Sequence, residues 1–322
     1  MPPDPRSNPH FRGHEEAVNS LYQAARSGRL HHGWLLAGPP GIGKATLAYR
    51  FGRRLLAGGQ TPDLAVPEEH GVFRRVAAGT HPDFFTAERR VNEKTEKLQG
   101  EIVIKTIQEA SAFMRLTPAE GGWRVVVVDG AEDMNVNAAN ALLKLLEEPP
   151  PRAILLLVSA ALGRLLPTIR SRCRVLPMSP LPDATMHTLL ADYAPDADAT
   201  RLIELSEGSI GGALSLAEGG GVALADLVDE ALNAPVKPAR AQAIADNVAR
   251  AVEGADKFEL FFSLLRTRLA ARTRAAARAG ATHLSHNVTL WQDFGKLQRE
   301  VLGLNLDKRA AIILALEQLH RS

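Results

Sequence analysis

The chain has 322 residues, of which 45% are hydrophobic and 23% are charged, enough for two or three domains. Its 38 basic and 36 acidic residues leave a formal charge of +2, which excludes a strongly basic surface over the whole chain. A single cysteine, Cys173, excludes a disulfide framework and a zinc site of several cysteines. No apolar run of about 18 residues occurs, so we expect a cytoplasmic protein without a membrane-spanning helix.

The first half of the chain alternates apolar runs with helix-like segments, a pattern typical of a parallel α/β sheet. Strands are predicted at 33–37, 82–86, 124–129 and 153–159, with helices at 44–56, 102–116 and 137–148. Beyond residue 182 the pattern predicts helices alone, at 183–193, 200–205, 211–217, 224–232, 258–277 and 306–321. The first dozen residues are Pro-rich and polar, and we expect them to be disordered.

A phosphate-binding loop is predicted between the first strand and the first helix. Gly38, Gly41, Gly43 and Lys44 match the pattern G-x-x-x-x-G-K. Glycines let backbone N–H groups turn toward phosphate oxygens, and the lysine neutralises the β- and γ-phosphates. Asp129, at the end of the four-valine strand, is the candidate acid that orients Mg²⁺.

The same site lacks residues that hydrolysis needs. Ala45 replaces the Ser or Thr whose hydroxyl binds Mg²⁺, and Thr46, the next hydroxyl, is turned by about 100° around the helix. Gly130 stands where an active ATPase of this class has the glutamate that activates water. Glu132 and Asp133 are replacement candidates, but they lie two and three residues further along the chain. We therefore expect hydrolysis to be absent.

Four motifs occur in a characteristic order: the loop 38–44, the strand that ends at Asp129, the helix NAANALLKLLEEPP at 137–150 and LPTIRSRC at 166–173. Together they resemble the AAA+ subunits of bacterial DNA clamp loaders. The resemblance rests on motifs as far as about residue 180 and on layout beyond it. It implies an α/β fold in three parts: a degenerate AAA+ nucleotide domain at 1–178, a helical lid at 179–234 and an all-α collar domain at 235–322.

The departures within this family concern catalysis. Motor subunits carry an arginine after the Gly-Ser of the lid, whereas Gly211 takes that place here. With Ala45 and Gly130, this loss resembles the clamp-loader subunit that has no working ATPase. The resemblance implies that Arg172 of the Ser-Arg-Cys motif acts in trans, as an arginine finger on a neighbour's ATP; the alternative is an ordinary surface arginine.

The resemblance also implies cofactors and partners. ATP or ADP binding is expected to be weak or absent, and no zinc is expected, because 60–81 lacks the four-cysteine module of many relatives. The implied partners are the gamma/tau motor subunits, the delta subunit, primer–template DNA and, transiently, the sliding clamp, with no membrane. The chain would have little or no ATPase activity of its own, within the DNA polymerase III holoenzyme.

Several alternatives stay open from the sequence. The chain could be an active motor ATPase, or a stand-alone regulatory AAA+ protein that binds DNA. Asn140 or Lys144 could contact DNA phosphates, or their helix could serve the core alone. The segments His14-Glu15 and 29–32 resemble the adenine side of the family's site, but exposed helix ends explain them equally well.

Overall fold

The computed structural model describes residues 3–28, 30–59, 61–91, 98–218, 220–250, 257–280 and 285–320. One compact unit extends to Tyr193 and includes Glu207–Gly212, whereas the second comprises Ala194–Ser206 and the residues from Ala213 onward. The three-part division at residues 178 and 234 stays a prediction. No helix in the described ranges is long and apolar enough to cross a membrane.

The first unit is a parallel five-stranded sheet with helices on both faces, as the sequence pattern predicts. Its strands, in the spatial order β2-β3-β4-β1-β5, are β1 (Gly33–Ala37), β2 (Phe84–Ala87), β3 (Arg124–Asp129), β4 (Ala153–Ser159) and β5 (Arg174–Pro177). Its helices are α1 (Glu15–Arg26), α2 (Lys44–Ala57), α3 (Gly71–Ala77), α4 (Ile104–Arg115), α5 (Val136–Glu147), α6 (Pro167–Arg170) and α7 (Asp183–Tyr193).

The remaining described elements are helices: α8 (Ala199–Ser206), α9 (Ile210–Ala217), α10 (Gly221–Asn233), α11 (Pro238–Ala249), α12 (Lys257–Arg278), α13 (Ser285–Leu304) and α14 (Lys308–Gln318). Phe258, Phe261 and Leu265 of α12 are buried within this helical unit. Their burial stabilises the unit itself, because apolar surface removed from water contributes about 25 cal/mol per Å².

Two hydrophobic cores lie on opposite faces of the sheet. Val125 and Val127 pack with α1 and α2, whereas Val126 and Val128 pack with α4 and α5. The division follows from the strand repeat, since successive side chains point to opposite faces. All four valines are fully buried, which confirms the prediction of a strand covered on both sides.

The structure differs from the sequence expectations at the exposed parts of the unit. Strand β2 begins and ends later than 82–86, and β5, α1, α3 and α6 were not predicted. In the second unit, α11 and α13 lie in the region predicted to be helical, but no bounds were predicted for them. Strand β5 is an edge strand with only Leu176 buried, so it shows neither alternation nor a continuous apolar run. The expectation of disorder in the first dozen residues was wrong from residue 4 onward, because Arg50 and Arg53 of α2 bind their backbone.

A substitution at the junction between β1 and the following loop tests this packing. A Cβ atom added at Gly38 would lie 2.1 Å from the carbonyl oxygen of Met178, a backbone atom that follows β5. We expect Gly38→Ala to lower the free energy of unfolding by about 1–3 kcal/mol, as in other overpacked sites. Gly163→Ala is the matched control, because a Cβ there meets nothing within 4 Å. Urea denaturation of both variants measures the difference, and equal stability would contradict the close approach.

Candidate nucleotide-binding site

The phosphate loop connects β1 to α2 at the carboxyl edge of the parallel sheet. Two of its glycines adopt left-handed backbone angles, with φ of 73° at Gly41 and 102° at Gly43. A side chain at either position would be strained, which explains the glycines that the motif requires. Lys44 is the first residue of α2, as predicted, and is almost completely buried.

The segment Glu207–Gly212 is bonded directly to this loop. The Ser209 hydroxyl donates to the Pro40 carbonyl at 3.0 Å, and the Gly211 N–H donates to the Gly41 carbonyl at 2.9 Å. A Cβ atom at Gly211 would lie only 3.0 Å from the Gly41 Cα. Glycine at position 211, where the resemblance implies that motor subunits carry an arginine, therefore allows the two backbones to approach closely.

Two further carbonyls of the loop accept hydrogen bonds from side chains of the same chain. The Lys44 ammonium donates to the Pro39 carbonyl at 2.5 Å, and Nε2 of His14 lies 2.8 Å from the Ile42 carbonyl. Burial lowers the pKa of His14, so the neutral imidazole that donates from Nε2 is favoured. Every carbonyl from Pro39 to Ile42 thus has a hydrogen-bond partner within the same compact unit.

Charged groups converge beside Lys44. Burial lowers the pKa of Lys44 to about 8, against the opposing attraction of Glu132 and Asp129. Burial, aided by the charge of Glu88, raises the pKa of Asp129 to about 6, although Lys44 favours its ionised form. The sequence placed Lys44 and Asp129 in one site, and their mutual electrostatic influence supports that placement.

The replacement candidates for the missing glutamate differ in position. Gly130 has φ of 78°, a backbone angle that disfavours glutamate there. Asp133 forms an ion pair with Arg89 at 3.3 Å, away from Lys44. Glu132 accepts the Ala160 N–H through Oε1 at 2.8 Å and leaves its second oxygen buried. Of the two candidates, Glu132 is therefore the one whose charge acts on Lys44.

The residues present do not fit Mg²⁺. Ala45 offers no oxygen, and Thr46 lies half-buried one position further along α2. A guanidinium, that of Arg6, lies beside Glu88 at the same edge of the sheet. Among the described residues, no group of three or more His, Cys, Asp or Glu side chains could hold a metal ion. The expectation that zinc is not bound stays a prediction.

Arg172 lies at the amino-terminal ends of the parallel strands, whereas the phosphate loop lies at their carboxyl ends. Arg172 precedes β5, whose first residue Arg174 pairs with Trp34 near the start of β1. The phosphate loop follows the end of β1, about 16 Å away for a five-residue strand. The Arg172 side chain donates to the Thr168 carbonyl at 3.1 Å and pairs with Glu147 at 2.9 Å. It is therefore remote from the loop of its own chain.

The neighbouring Cys173 is not a reactive thiol. Burial raises its pKa to about 12, so the thiolate is scarce at neutral pH. A Cβ atom at Gly33 would lie 3.4 Å from the Cys173 sulfur, so the thiol packs against the start of β1. Its contribution to this segment is packing.

A groove of about 720 Å³ lies beside His14. Its lining comes from three segments, 11–19, 62–63 and 184–188, and includes Glu15. Of the other adenine-side segment, Arg29 lies outside the described residues. His31 and His32 precede β1 and so lie at the opposite edge of the sheet from the phosphate loop, where His32 contacts the Leu146 carbonyl at 3.0 Å. The structure therefore does not bring His31 and His32 to the phosphate loop, and the adenine-side interpretation of 29–32 stays a prediction.

Sequence reasoning missed two residues of the site, Arg6 and Glu88, and noted a third, Ser209, only as part of the Gly-Ser of the lid motif. Arg6 lies in the segment expected to be disordered, Glu88 immediately follows β2, and Ser209 lies in the loop before α9. Only Glu88 had a usable signal, because an acid after a parallel strand reaches the carboxyl edge of the sheet. The other two depend on contacts across 82 and 169 residues of sequence.

Comparison with known proteins identifies relatives of this chain. Residues 13–182, more than half of the chain, match the family model described as DNA polymerase III, delta subunit. DNA polymerase III subunit delta' of Pseudomonas aeruginosa is 44% identical over 54% of this chain and 51% of its own. The Escherichia coli delta' subunit is 34% identical over 66% and 61%, respectively. The chain thus spans about half to three fifths of the length of these relatives.

Solved structures give weaker matches. A gamma subunit-related protein of DNA polymerase III from Thermotoga maritima aligns with a TM-score of 0.45 and 19% identity, over 95% of this chain and 100% of that one. The RuvB Holliday junction branch migration motor of the same organism aligns with a TM-score of 0.44 and 18% identity, over 86% of each chain.

The raised pKa of Asp129 gives a test of the site's electrostatics. Asp129 prefers to be protonated when the chain is folded, so its ionisation destabilises the fold as pH rises from about 4 through 6. We expect Asp129→Asn to raise the free energy of unfolding at pH 7 by about 1–3 kcal/mol, and to change it little below pH 4. Urea denaturation across this pH range is the measurement.

Asp196→Asn is the matched control, because Asp196 is exposed. A stabilisation of Asp129→Asn that is independent of pH, or a loss of stability at pH 7, would show that the buried carboxylate carries no electrostatic cost.

Proposed function

Since the chain belongs to the DNA polymerase III delta subunit family, we propose that it acts as the delta-prime type of clamp-loader subunit, one that does not hydrolyse ATP. It would help to load the sliding clamp on primed DNA and would supply Arg172 to an adjacent motor subunit. The observation that carries this proposal is the position of Arg172, outside the nucleotide site of its own chain.

The geometry of Arg172 suits a role in trans. In the isolated chain its guanidinium is half-exposed and pairs with Glu147. An exposed ion pair of this kind contributes about 0–1 kcal/mol, so little free energy is needed to turn the arginine toward a neighbour. An arginine finger stabilises transition-state charge on the phosphate and accelerates hydrolysis by about 10³–10⁵-fold. The Arg172 side chain thus contributes little to the stability of the local fold, and it would contribute far more to hydrolysis of a partner's ATP.

The nucleotide site supports the proposal that this chain does not hydrolyse ATP. Its position 45 lacks a hydroxyl, and backbone geometry at Gly130 and Gly211 disfavours the two catalytic side chains of active relatives. Lys44 is bonded to the loop itself. We infer that ATP or ADP binds weakly or not at all, and that the loop serves the fold.

A surface on α4 and α5 is the candidate contact with primer–template DNA. The two helices pack together and expose the polar side chains Lys105, Gln108, Arg115, Asn137, Asn140 and Lys144. Asn137, Asn140 and Lys144 recur at helical intervals on one face of α5, whereas Leu142, Leu145 and Leu146 are buried. Lysine and arginine contacts of this kind bind phosphates without reading sequence.

Two experiments separate the alternatives. An ATPase assay of the purified chain with primed DNA tests the motor interpretation, and substantial turnover by this chain alone would support that rival. Size-exclusion chromatography with the gamma/tau and delta subunits tests the stand-alone interpretation. We expect a hetero-oligomer, and its absence would contradict a clamp-loader role.

Arg172→Ala tests the arginine finger in the reconstituted complex. We expect hydrolysis at the adjacent site to fall by about 10³-fold or more, and the DNA-stimulated turnover of the whole complex to fall with it. The variant should still fold and assemble, because its side chain makes only surface contacts. Arg26→Ala, at the exposed end of α1, is the matched control.

Lys44→Ala, measured in the same assay, tests whether this chain's own nucleotide site contributes to turnover. We expect turnover of the complex to change by less than about twofold, because this loop is not a site of hydrolysis. Unchanged turnover with Arg172→Ala would remove the finger assignment, whereas a large loss with Lys44→Ala would show that this chain's own nucleotide site works.

A further inference from the structure

The residues from Asp4 to His14, here called the N-terminal strap, are anchored to α2 by arginines. The Arg53 guanidinium is almost fully buried and donates to the carbonyls of Arg6, at 2.6 Å, and Asn8, at 2.8 Å. Arg50 donates to the Pro9 carbonyl at 2.6 Å. A buried guanidinium is costly to leave without partners. These bonds therefore fix the backbone of the strap on the nucleotide helix.

The anchored strap carries the side chain of Arg6 to the edge of the sheet. There the guanidinium forms an ion pair with Glu88 and donates through Nε to the Tyr49 hydroxyl at 3.2 Å. Tyr49 in turn lies 2.9 Å from the Thr86 hydroxyl, on β2. Both Arg6 and Glu88 are partly buried, so solvent screens their attraction less than that of a surface pair.

Glu88 lies beside Asp129 at this edge. In the parallel register of β2 and β3, Ala87 pairs with Val128, and the two acids follow immediately. Neighbouring strands lie about 4.8 Å apart, so the two acidic side chains begin close together. Their charges act on each other, and the charge of Arg6 also acts on Asp129. Lys44 provides the second cation near Asp129.

In an active phosphate-loop enzyme, Mg²⁺ lies beside the strand aspartate and is held there by a Ser or Thr hydroxyl. Here the hydroxyl is absent, because position 45 is alanine, and a guanidinium lies among the carboxylates instead. We propose that Arg6 is the resident counter-ion of the Glu88–Asp129 edge and excludes divalent cations from it. The N-terminal strap thereby replaces the metal with a cation that belongs to the chain.

This inference does not depend on assembly with a clamp loader, and the isolated chain suffices to test it. The probe is Mn²⁺ alone, whose free concentration is followed by electron paramagnetic resonance. We expect the wild-type chain to bind Mn²⁺ weakly and Arg6→Gln to bind it at least about tenfold more tightly, because an adjacent positive charge is removed. Adding Asp129→Asn to Arg6→Gln should reverse the gain.

Two controls accompany the test. Arg12→Gln removes another strap arginine, whose pair with Asp192 is exposed, and should bind Mn²⁺ as the wild type does. Arg6→Lys keeps the charge and should also exclude the metal. Equal Mn²⁺ affinity in Arg6→Gln and the wild type would overturn the proposal, as would tight binding by Arg6→Lys.

A second measurement does not require any variant to fold. The thermal unfolding midpoint of the wild-type chain should be the same in Mg²⁺ and in EDTA at matched ionic strength. A higher midpoint in Mg²⁺ would mean that the folded chain already binds the metal, since a ligand of the folded state alone raises stability. That result would overturn the proposal.

Discussion

The hydrogen bonding of the phosphate loop to its own chain is the interaction on which the rest of the site depends. Carbonyls at four successive positions, 39–42, are engaged by Lys44, Ser209, Gly211 and His14. In an enzyme that hydrolyses nucleotide, the lysine and the lid residues are free to bind the phosphates. Here the equivalent groups are committed to backbone oxygens, and they link the loop to the strap and to Glu207–Gly212.

The charge distribution follows from this arrangement. Lys44 is buried, and the attraction of Glu132 and Asp129 offsets part of the cost of its desolvation. Asp129 is itself buried next to Glu88, so the cluster needs a second cation, which Arg6 provides. Arg172, the proposed arginine finger, lies at the amino-terminal ends of the strands, away from this charge cluster. The phosphate loop and Arg172 are thus separated by about the length of a strand, roughly 16 Å.

The sequence predicted the parts of the fold whose signal is local. Strands β1, β3 and β4 have the predicted bounds, because each is a continuous apolar run buried on both sides. It also indicated that Ala45, Gly130 and Gly211 depart from an active site. It could not show why Gly211 is glycine, because the reason is a contact with Gly41 across 170 residues of sequence.

The N-terminal strap was misinterpreted for the same reason. Proline-rich polar residues lack the apolar surface that orders a segment, and the order here comes from Arg50 and Arg53 instead. Edge strand β5 was missed, although the Ser-Arg-Cys motif before it was recognised. Contacts made by side chains from distant segments therefore account for most of what sequence patterns left out.

We propose that this phosphate loop serves the fold and does not serve ATP binding. Isothermal titration of the purified chain with ATP, with and without Mg²⁺, tests this proposal. We expect no saturable binding below millimolar ATP and no effect of Mg²⁺. Saturable binding at micromolar ATP that requires Mg²⁺ would contradict it, because the closed loop and the Arg6 counter-ion leave no place for either.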